Sequence, residues 1–395
     1  MFVSSTQRER RRAELARRKW RIALQLGVAL FAIVGFIASS QGDTTRFQML
    51  PALQTESAST ALLLDAATDG QRILVAGEQG HILYSDNSGS SWTHAQVPVS
   101  LALTAVTFSS ASNAWVAAHD GVLLRSTDHG QSWQTNLTGV DIARLSGDAA
   151  QEKVDRLEAE ISQAGPDELE DLEWALDDAL FALEDASAAI DEGVTMPLLD
   201  VWFENERIGY ALGAYGILLQ TRDAGSTWHL ISDRLDNPDN YHLYAITRSV
   251  SGTLLVAGEA GTILRSRDHG ETWDRPASPY QGSFFGSVAT HDGGLLVFGL
   301  RGNVFRSTDD GDTWSTVVTN DQRSLLGGMT RDDGAIVLVG SAGAVLTSTD
   351  HGATFAKVST SGNSVYSGVT ETNDGKLLLV GFGGVSIIDE GDQHE

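Results

Sequence analysis

The chain has no cysteine in 395 residues. That absence excludes disulfide staples, thiolate metal sites and a cysteine nucleophile. Proline is scarce as well, with 7 residues against 41 glycines. Such a balance suits many tight turns between ordered strands better than extended linkers. Positive charge is also thin: Lys and Arg total 27 against 52 Asp and Glu, for a formal net charge of −25. Eight of those cations lie in residues 1–21 beside Glu9 and Glu14, so the rest of the chain holds 19 basic and 50 acidic residues, a net of −31. A body of that charge repels phosphate backbones and sets DNA and RNA aside as partners. With 42% hydrophobic residues, there is still enough apolar material for a substantial core.

Long apolar runs are missing too, with one exception. Ile22 to Ala38, "IALQLGVALFAIVGFIA", has Gln25 as its one strongly polar residue. As a helix it spans about 25 Å, and residues at its two ends extend it toward the roughly 30 Å of a bilayer core. The expectation is a basic cytoplasmic segment over 1–21 and a transmembrane signal-anchor over 22–40. The cationic flank stays inside, so everything after residue 40 is exported. A cleaved signal peptide is the alternative, with Ala38 and Ser40 at the cleavage site.

What the chain does contain is a repeat. "STDHGQSW", Ser126 to Trp133, recurs in altered form with its final aromatic at Trp92, Trp133, Trp228, Trp273, Trp314 and Phe355. The spacing is 41 or 45 residues, with one gap of 95. A period near forty built from short β-rich runs predicts propeller blades. Each copy follows an apolar run, a Gly-containing turn and a second apolar run, as in "ILVAGEQGHILYS". Asp69-Gly70, Asp292-Gly293, Asp333-Gly334 and Asp374-Gly375 mark hairpins further upstream. Each unit then reads as four strands, a to d, with the motif as the c–d turn. Its Ser/Thr and Asp side chains bond the turn's own amides, its Gly takes a left-handed backbone, and its aromatic opens strand d and packs between sheets. On this reading Asp128, Trp133, Asp223, Trp228, Asp268, Trp273, Asp309, Trp314, Asp350 and Phe355 are architectural. His129, His269 and His351 are exposed turn residues. No catalytic residue, metal site or cofactor is expected.

These motifs are identified as Asp-boxes, or bacterial neuraminidase repeats. With the four-strand grammar they resemble the photosystem II assembly and stability factor family of seven-bladed propellers, in a proteobacterial membrane-anchored form. The resemblance covers residues 44–140 and 197–390. The fold class expected is all-β: a seven-bladed β-propeller with an inserted α-helical hairpin and an N-terminal transmembrane helix. Residues 44–140 hold blades one and two plus the closing strand of blade seven, and 197–390 hold blades three to seven. Blade seven lacks a fourth strand of its own, and "TTRFQML", Thr44 to Leu50, is the expected donor. That route would bring the chain into the propeller at the Asp-box face.

The gap of 95 holds an acidic insertion, residues 141–196, that lacks strand alternation. Ala150, Val154, Leu157 and Ile161, then Leu169, Leu172, Leu176, Ala179, Leu183, Ala186 and Ile190, keep helical spacings. The prediction is an antiparallel helical hairpin turning at Gly165-Pro166, with capping boxes at Asp148/Gln151 and Asp167/Glu170. Between Asp148 and Glu192 it carries sixteen acidic residues against Lys153 and Arg156. Trp174 and Phe181 lie off the seam, either packed on the propeller rim or forming a partner-binding stripe.

The resemblance implies binding to a membrane partner rather than turnover. The expected function is a non-catalytic, membrane-anchored periplasmic propeller. It would bind an inner-membrane protein complex and assist its assembly or operation, with a resistance-nodulation-division type exporter as the favoured partner. The expected location is the bacterial inner membrane, single-pass, with the N-terminus cytoplasmic. Partner-binding candidates are Trp174, Phe181, Tyr215, Glu259, Arg301 and Phe382, the last four on b–c turns. The competing class is a sialidase-like glycoside hydrolase, which requires an Arg cluster, a Tyr nucleophile and acidic partners. Arg301 and Tyr215 are the residues it would use.

Overall fold

The computed structural model describes residues 50–360 and 362–389. The basic segment 1–21, the apolar span 22–40 and residues 44–49 of the expected closing strand lie outside them. Among the described residues no helix is long and apolar enough to cross a membrane.

Seven antiparallel sheets follow one another along the chain, each with its strands in sequence order. The innermost strands are Leu63–Thr68, Leu103–Phe108, Leu198–Phe203, Leu243–Arg248, Phe284–Ala289, Leu325–Thr330 and Tyr366–Glu371. Each packs beside the next, and the last packs beside the first, so the sheets run round a ring as propeller blades do. Ser367 Oγ donates to the Leu63 carbonyl at 3.0 Å across that last junction. The second strand of every blade is five residues long and wholly buried, from Ile73–Gly77 in blade one to Leu377–Gly381 in blade seven. Neighbouring sheets cover both of its faces, so its sequence is a continuous apolar run rather than an alternation.

The Asp-box turns are built as their chemistry requires. In blade two Ser126 Oγ donates to Asp128 Oδ1 at 2.8 Å and accepts from the Gly130 amide at 2.8 Å. Asp128 in turn accepts from the Ser132 amide at 2.9 Å and the Ser132 hydroxyl at 2.5 Å. The last two bonds recur at Asp223, Asp268, Asp309 and Asp350. Donation from the Thr272 hydroxyl and amide holds the Asp268 carboxyl down at about 2, and Thr313 does the same for Asp309. The residue after each Asp or Asn is also left-handed, from φ 55° at Asp310 to 63° at His129. The sequence reading had assigned that conformation to the following glycine alone.

The motif aromatics seal each blade against the one before it. Trp133 is 4% exposed and packs with Leu74 and Ala76 of blade one. Trp228 meets Trp115 of blade two with ring centroids 5.9 Å apart. Trp273, Trp314 and Phe355 join the clusters of blades three, four and five. Trp92 packs in the cluster of Leu378 and Val380, which closes the circle onto blade seven. The approach is tight enough at Gly225 that a Cβ there would lie 2.1 Å from the Trp115 ring.

Two blades depart from the four-strand grammar. In blade four the fourth strand shrinks to a single bridge between Arg265 and Asp274. Pro276, two residues on, has no N–H to extend the ladder. Blade seven has three strands, ending with Gly384–Ile388. Of its expected closing strand only Leu50 is described, and it is exposed and outside any strand. The chain after it takes another course. The Ala52 amide donates to the Val97 carbonyl, beside the link from blade one to blade two, and the Thr55 carbonyl bonds His94 Nε2. Only then does Ala58–Thr60 meet the outer strand of blade seven. Residues 52–60 therefore lie at the b–c end, and the expected approach through the Asp-box face is not met among the described residues.

The insertion is two helices, α1 (Gly139–Ile161) and α2 (Leu169–Glu192), joined at their buried seam by Val154, Leu157 and Ala179. The predicted capping boxes are corrected. α1 starts at Gly139, capped by Thr138 and Asp141, which bond each other's backbone amides. Asp148 and Gln151 are helix-interior residues, and Gln151 reaches Asp155 instead. α2 has Glu168 at its N-cap with no side-chain cap. The early start follows from Ile142 and Leu145, three apart, which pack with Leu137, Leu198 and Ile217 of the neighbouring blades.

Candidate functional site

The b–c end of the ring is built on a sevenfold pattern of backbone bonds. In each blade the first residue of the b–c turn donates its amide to the carbonyl just before the innermost strand. Glu78 to Leu62, Ala214 to Pro197, Glu259 to His242 and Phe382 to Val365 are examples, at 2.9–3.0 Å. In blades one to six the next residue is left-handed, with φ from 49° at Ala342 to 60° at Arg301. These turns are rigid mounts, and their second residue stands outward: Gln79, Tyr215, Arg301 and Ala342 are exposed.

A second ring lies just inside. All seven innermost strands carry a register shift near their start, which leaves one residue out of the ladder. Those residues are Leu64, Thr104, Leu199, Tyr244, Phe285, Leu326 and Ser367, all half-buried. A bulge re-aims a side chain without ending the sheet. Thr104 and Ser367 spend theirs on the next blade, donating to the Leu198 and Leu63 carbonyls. The other five form a largely apolar collar round the axis.

On one side the collar continues into an aromatic run. Tyr215, 57% exposed, meets His242 edge to face with centroids 5.0 Å apart. His242 is 6.3 Å from Tyr244, and Tyr244 is 5.5 Å from Phe285. The Tyr215 amide donates to His242 Nδ1 at 2.8 Å, so that nitrogen carries no proton. Burial holds the imidazole below its ordinary pKa, which agrees with a neutral ring. Burial, then the Glu259 carboxylate, raises the Tyr244 phenol.

The site residues expected from sequence fall out unequally. Tyr215 belongs to the aromatic run. Arg301 is exposed on blade five, its amide bonded to Ser324 Oγ at 3.2 Å. Phe382 is 44% exposed on blade seven. Glu259 is corrected as a surface contact: it is 5% exposed, and its carboxylate accepts from the His242 amide at 3.2 Å. Its work is to fix the d–a link to the turn, as Glu78 does by accepting from the Leu62 amide. Trp174 is half-buried and Phe181 is 45% exposed on α2, while the rim contact described above is made by α1. The ten Asp-box residues stay in their separate turns. Tyr215 and Arg301 sit two blades apart, so the pair named for a glycosidase is not brought together on adjacent turns. Tyr244, Phe285 and the other bulge residues were missed. Aligning the blades on the turn glycine would have shown them as one column of changing residues ahead of each buried strand.

Two acids staple blades near the axis. Asp65 Oδ2 accepts from the Val106 amide at 2.8 Å, and Asp200 Oδ2 from the Ile246 amide at 2.9 Å. Burial pushes their carboxyls up to about 7 and about 6, and Asp200 adds to the rise at Asp65. A depression of about 430 Å³ beside blade one is lined by Leu53, Thr55, Thr60, Glu78 and His81. Among the described residues no group of three or more His, Asp or Glu is placed to hold a metal ion.

Residues 183–364 match the sequence model of the photosynthesis system II assembly factor YCF48 family. The chain resembles that family. The photosystem II stability/assembly factor HCF136 of Arabidopsis thaliana is 34% identical over 104 residues, a quarter of each chain. The aligned region thus spans only a quarter of that relative's length. Among solved structures, YCF48 bound to a D1 peptide is similar at a TM-score of 0.56 and 15% identity, over 89% of this chain and 98% of that one. YCF48 from Cyanidioschyzon merolae gives the same score and identity over 83% and 95%. A streptogramin B lyase reaches 0.58 at 12% identity over 87% and 96%. At such identities these likenesses show the fold alone, and an enzyme and binding proteins share it.

Proposed function

We propose that the chain is a non-catalytic, membrane-anchored periplasmic platform that binds an inner-membrane protein complex and assists its assembly or operation. An exporter of the resistance-nodulation-division type is the partner favoured for it. The observation that carries this reading is the b–c end itself. Backbone bonds mount outward side chains on a fixed ring, around a collar of mainly apolar residues that the ladder does not use. Such a surface presents contacts; it does not converge a nucleophile, an acid and a base on one point. The resemblance to an assembly-factor family, with one fold relative solved on a peptide, supports the same reading. The apolar stretch Ile22–Ala38 behind eight cations supports the anchor and the periplasmic side.

The test is affinity purification of the full chain from detergent-solubilised membranes after cross-linking. One co-purifying integral membrane protein should dominate, and excision of the α1–α2 hairpin should weaken its recovery. Recovery of no membrane protein above an untagged control would sink the platform. Hydrolysis of a sialoside that is lost in both Arg301→Ala and Tyr215→Phe would install the glycosidase in its place.

A further inference from the structure

We infer that the b–c mouth between blades three and five is a docking site for a cationic partner segment that carries one apolar or aromatic anchor side chain. This rests on the platform reading and specifies its contact. The first observation is the aromatic run. It descends from exposed Tyr215 on a b–c turn through His242 to Tyr244 and Phe285 on the innermost strands of blades four and five. A stepped aromatic wall ending in half-buried rings fits a single inserted side chain, with π faces that also favour cations.

The second observation is charge. The hairpin stands beside this mouth, because Leu145 of α1 packs in the same cluster as Ile217, two residues past Tyr215. Between Asp148 and Glu192 that hairpin holds sixteen acids and two bases. An acidic wall next to a neutral apolar step selects a segment whose anchor is flanked by Lys or Arg. Arg301, two blades further round, repels cations there and confines the basic flank to the side of blades two and three. The order of contacts is thus fixed: cations toward α1 and α2, the anchor over Tyr215, its tip toward Tyr244 and Phe285.

The test uses the full chain in detergent and three fluorescent synthetic peptides of about twelve residues, read by anisotropy. One has Lys and Arg around a central Leu-Phe, one replaces Leu-Phe by Ser-Ser, and one replaces the cations by Glu. The first should bind about tenfold tighter than either of the others. Its affinity should fall as salt rises from about 50 to about 300 mM. Tyr215→Ala, at an exposed position, should weaken it about fivefold with the thermal midpoint unchanged. Replacing Asp148, Glu184 and Asp191, exposed acids of the hairpin half that lies nearer the blades, by Asn, Gln and Asn should remove most of the salt dependence. Equal binding of the acidic peptide, or no effect of Tyr215→Ala, overturns the proposal. Binding that occurs only after Arg10, Arg11 and Arg12 are changed to Ser would give the mouth to this chain's own N-terminus, and also overturns it. If a membrane partner is still captured by Tyr215→Ala, the platform stands and this site is removed from it.

Discussion

Gly225→Ala tests whether the Asp-box turns are packed as the structure places them. At φ +75° the added methyl meets the usual penalty of an L side chain in the left-handed region, about 1–2 kcal/mol. Its Cβ would also lie 2.1 Å from the Trp115 ring, which must move within a cluster that already holds Trp228 and Phe203. Overpacking of that kind adds about 1–3 kcal/mol. Gly293→Ala is the control, since it has φ +89° and nothing within 4 Å. It carries the backbone cost alone. With at most about 2–4 °C lost per kcal/mol in a domain this large, Gly225→Ala should lower the thermal midpoint by roughly 4–20 °C and Gly293→Ala by roughly 2–8 °C, the first always by more than the second. Calorimetry of the two variants side by side measures the difference directly. Equal midpoints would refute the argument, because they would mean the turn is free of the blade before it.

Other outcomes follow from the same geometry. Trp133→Ala, at 4% exposure, should cost about 3–5 kcal/mol in urea unfolding, and half-buried Trp314→Ala should cost less. The Asp268 carboxyl is held at about 2 when folded against 3.8 in its ordinary state, so its contribution is present above pH 3.8 and lost as pH falls toward 2. Urea midpoints of Asp268→Ala should therefore drop less than those of the parent across that window. Asp65 has the opposite sign: its folded carboxyl sits at about 7, so its contribution is present below pH 3.8 and lost as pH rises to 7. The thermal advantage of Asp65→Asn over the parent should grow from pH 4 to 7 and then level off. An advantage that does not change with pH would show that the acid is not enclosed.

Much of the scaffold can be read from residue order because each blade repeats one local grammar. The aromatic, the turn Asp and the buried five-residue run recur at one spacing, and turn chemistry is local. Where the reading failed, tertiary contact decided. Thr138 and Asp141 cap α1 because Ile142 and Leu145 find apolar surface on the adjacent blades, which spacing within the insertion does not reveal. Blade four loses its outer strand to one proline, a local signal that was available. The mouth was half legible. Tyr215 and Arg301 stand out on glycine turns, yet Glu259, one turn position earlier, folds inward onto the His242 amide. Tyr244 and Phe285 pass for ordinary strand residues until the bulge lifts them out of the pairing pattern.

The seven bulges separate two jobs that most sheets combine. A residue that bonds its neighbours across a strand can rarely change without disturbing them. A residue held beside the ladder is free of that duty, and five of the seven spokes carry one, since Thr104 and Ser367 are themselves tied to the next blade. Substitution among those five can change the face of the hub while the spokes and their fastenings stay as they are.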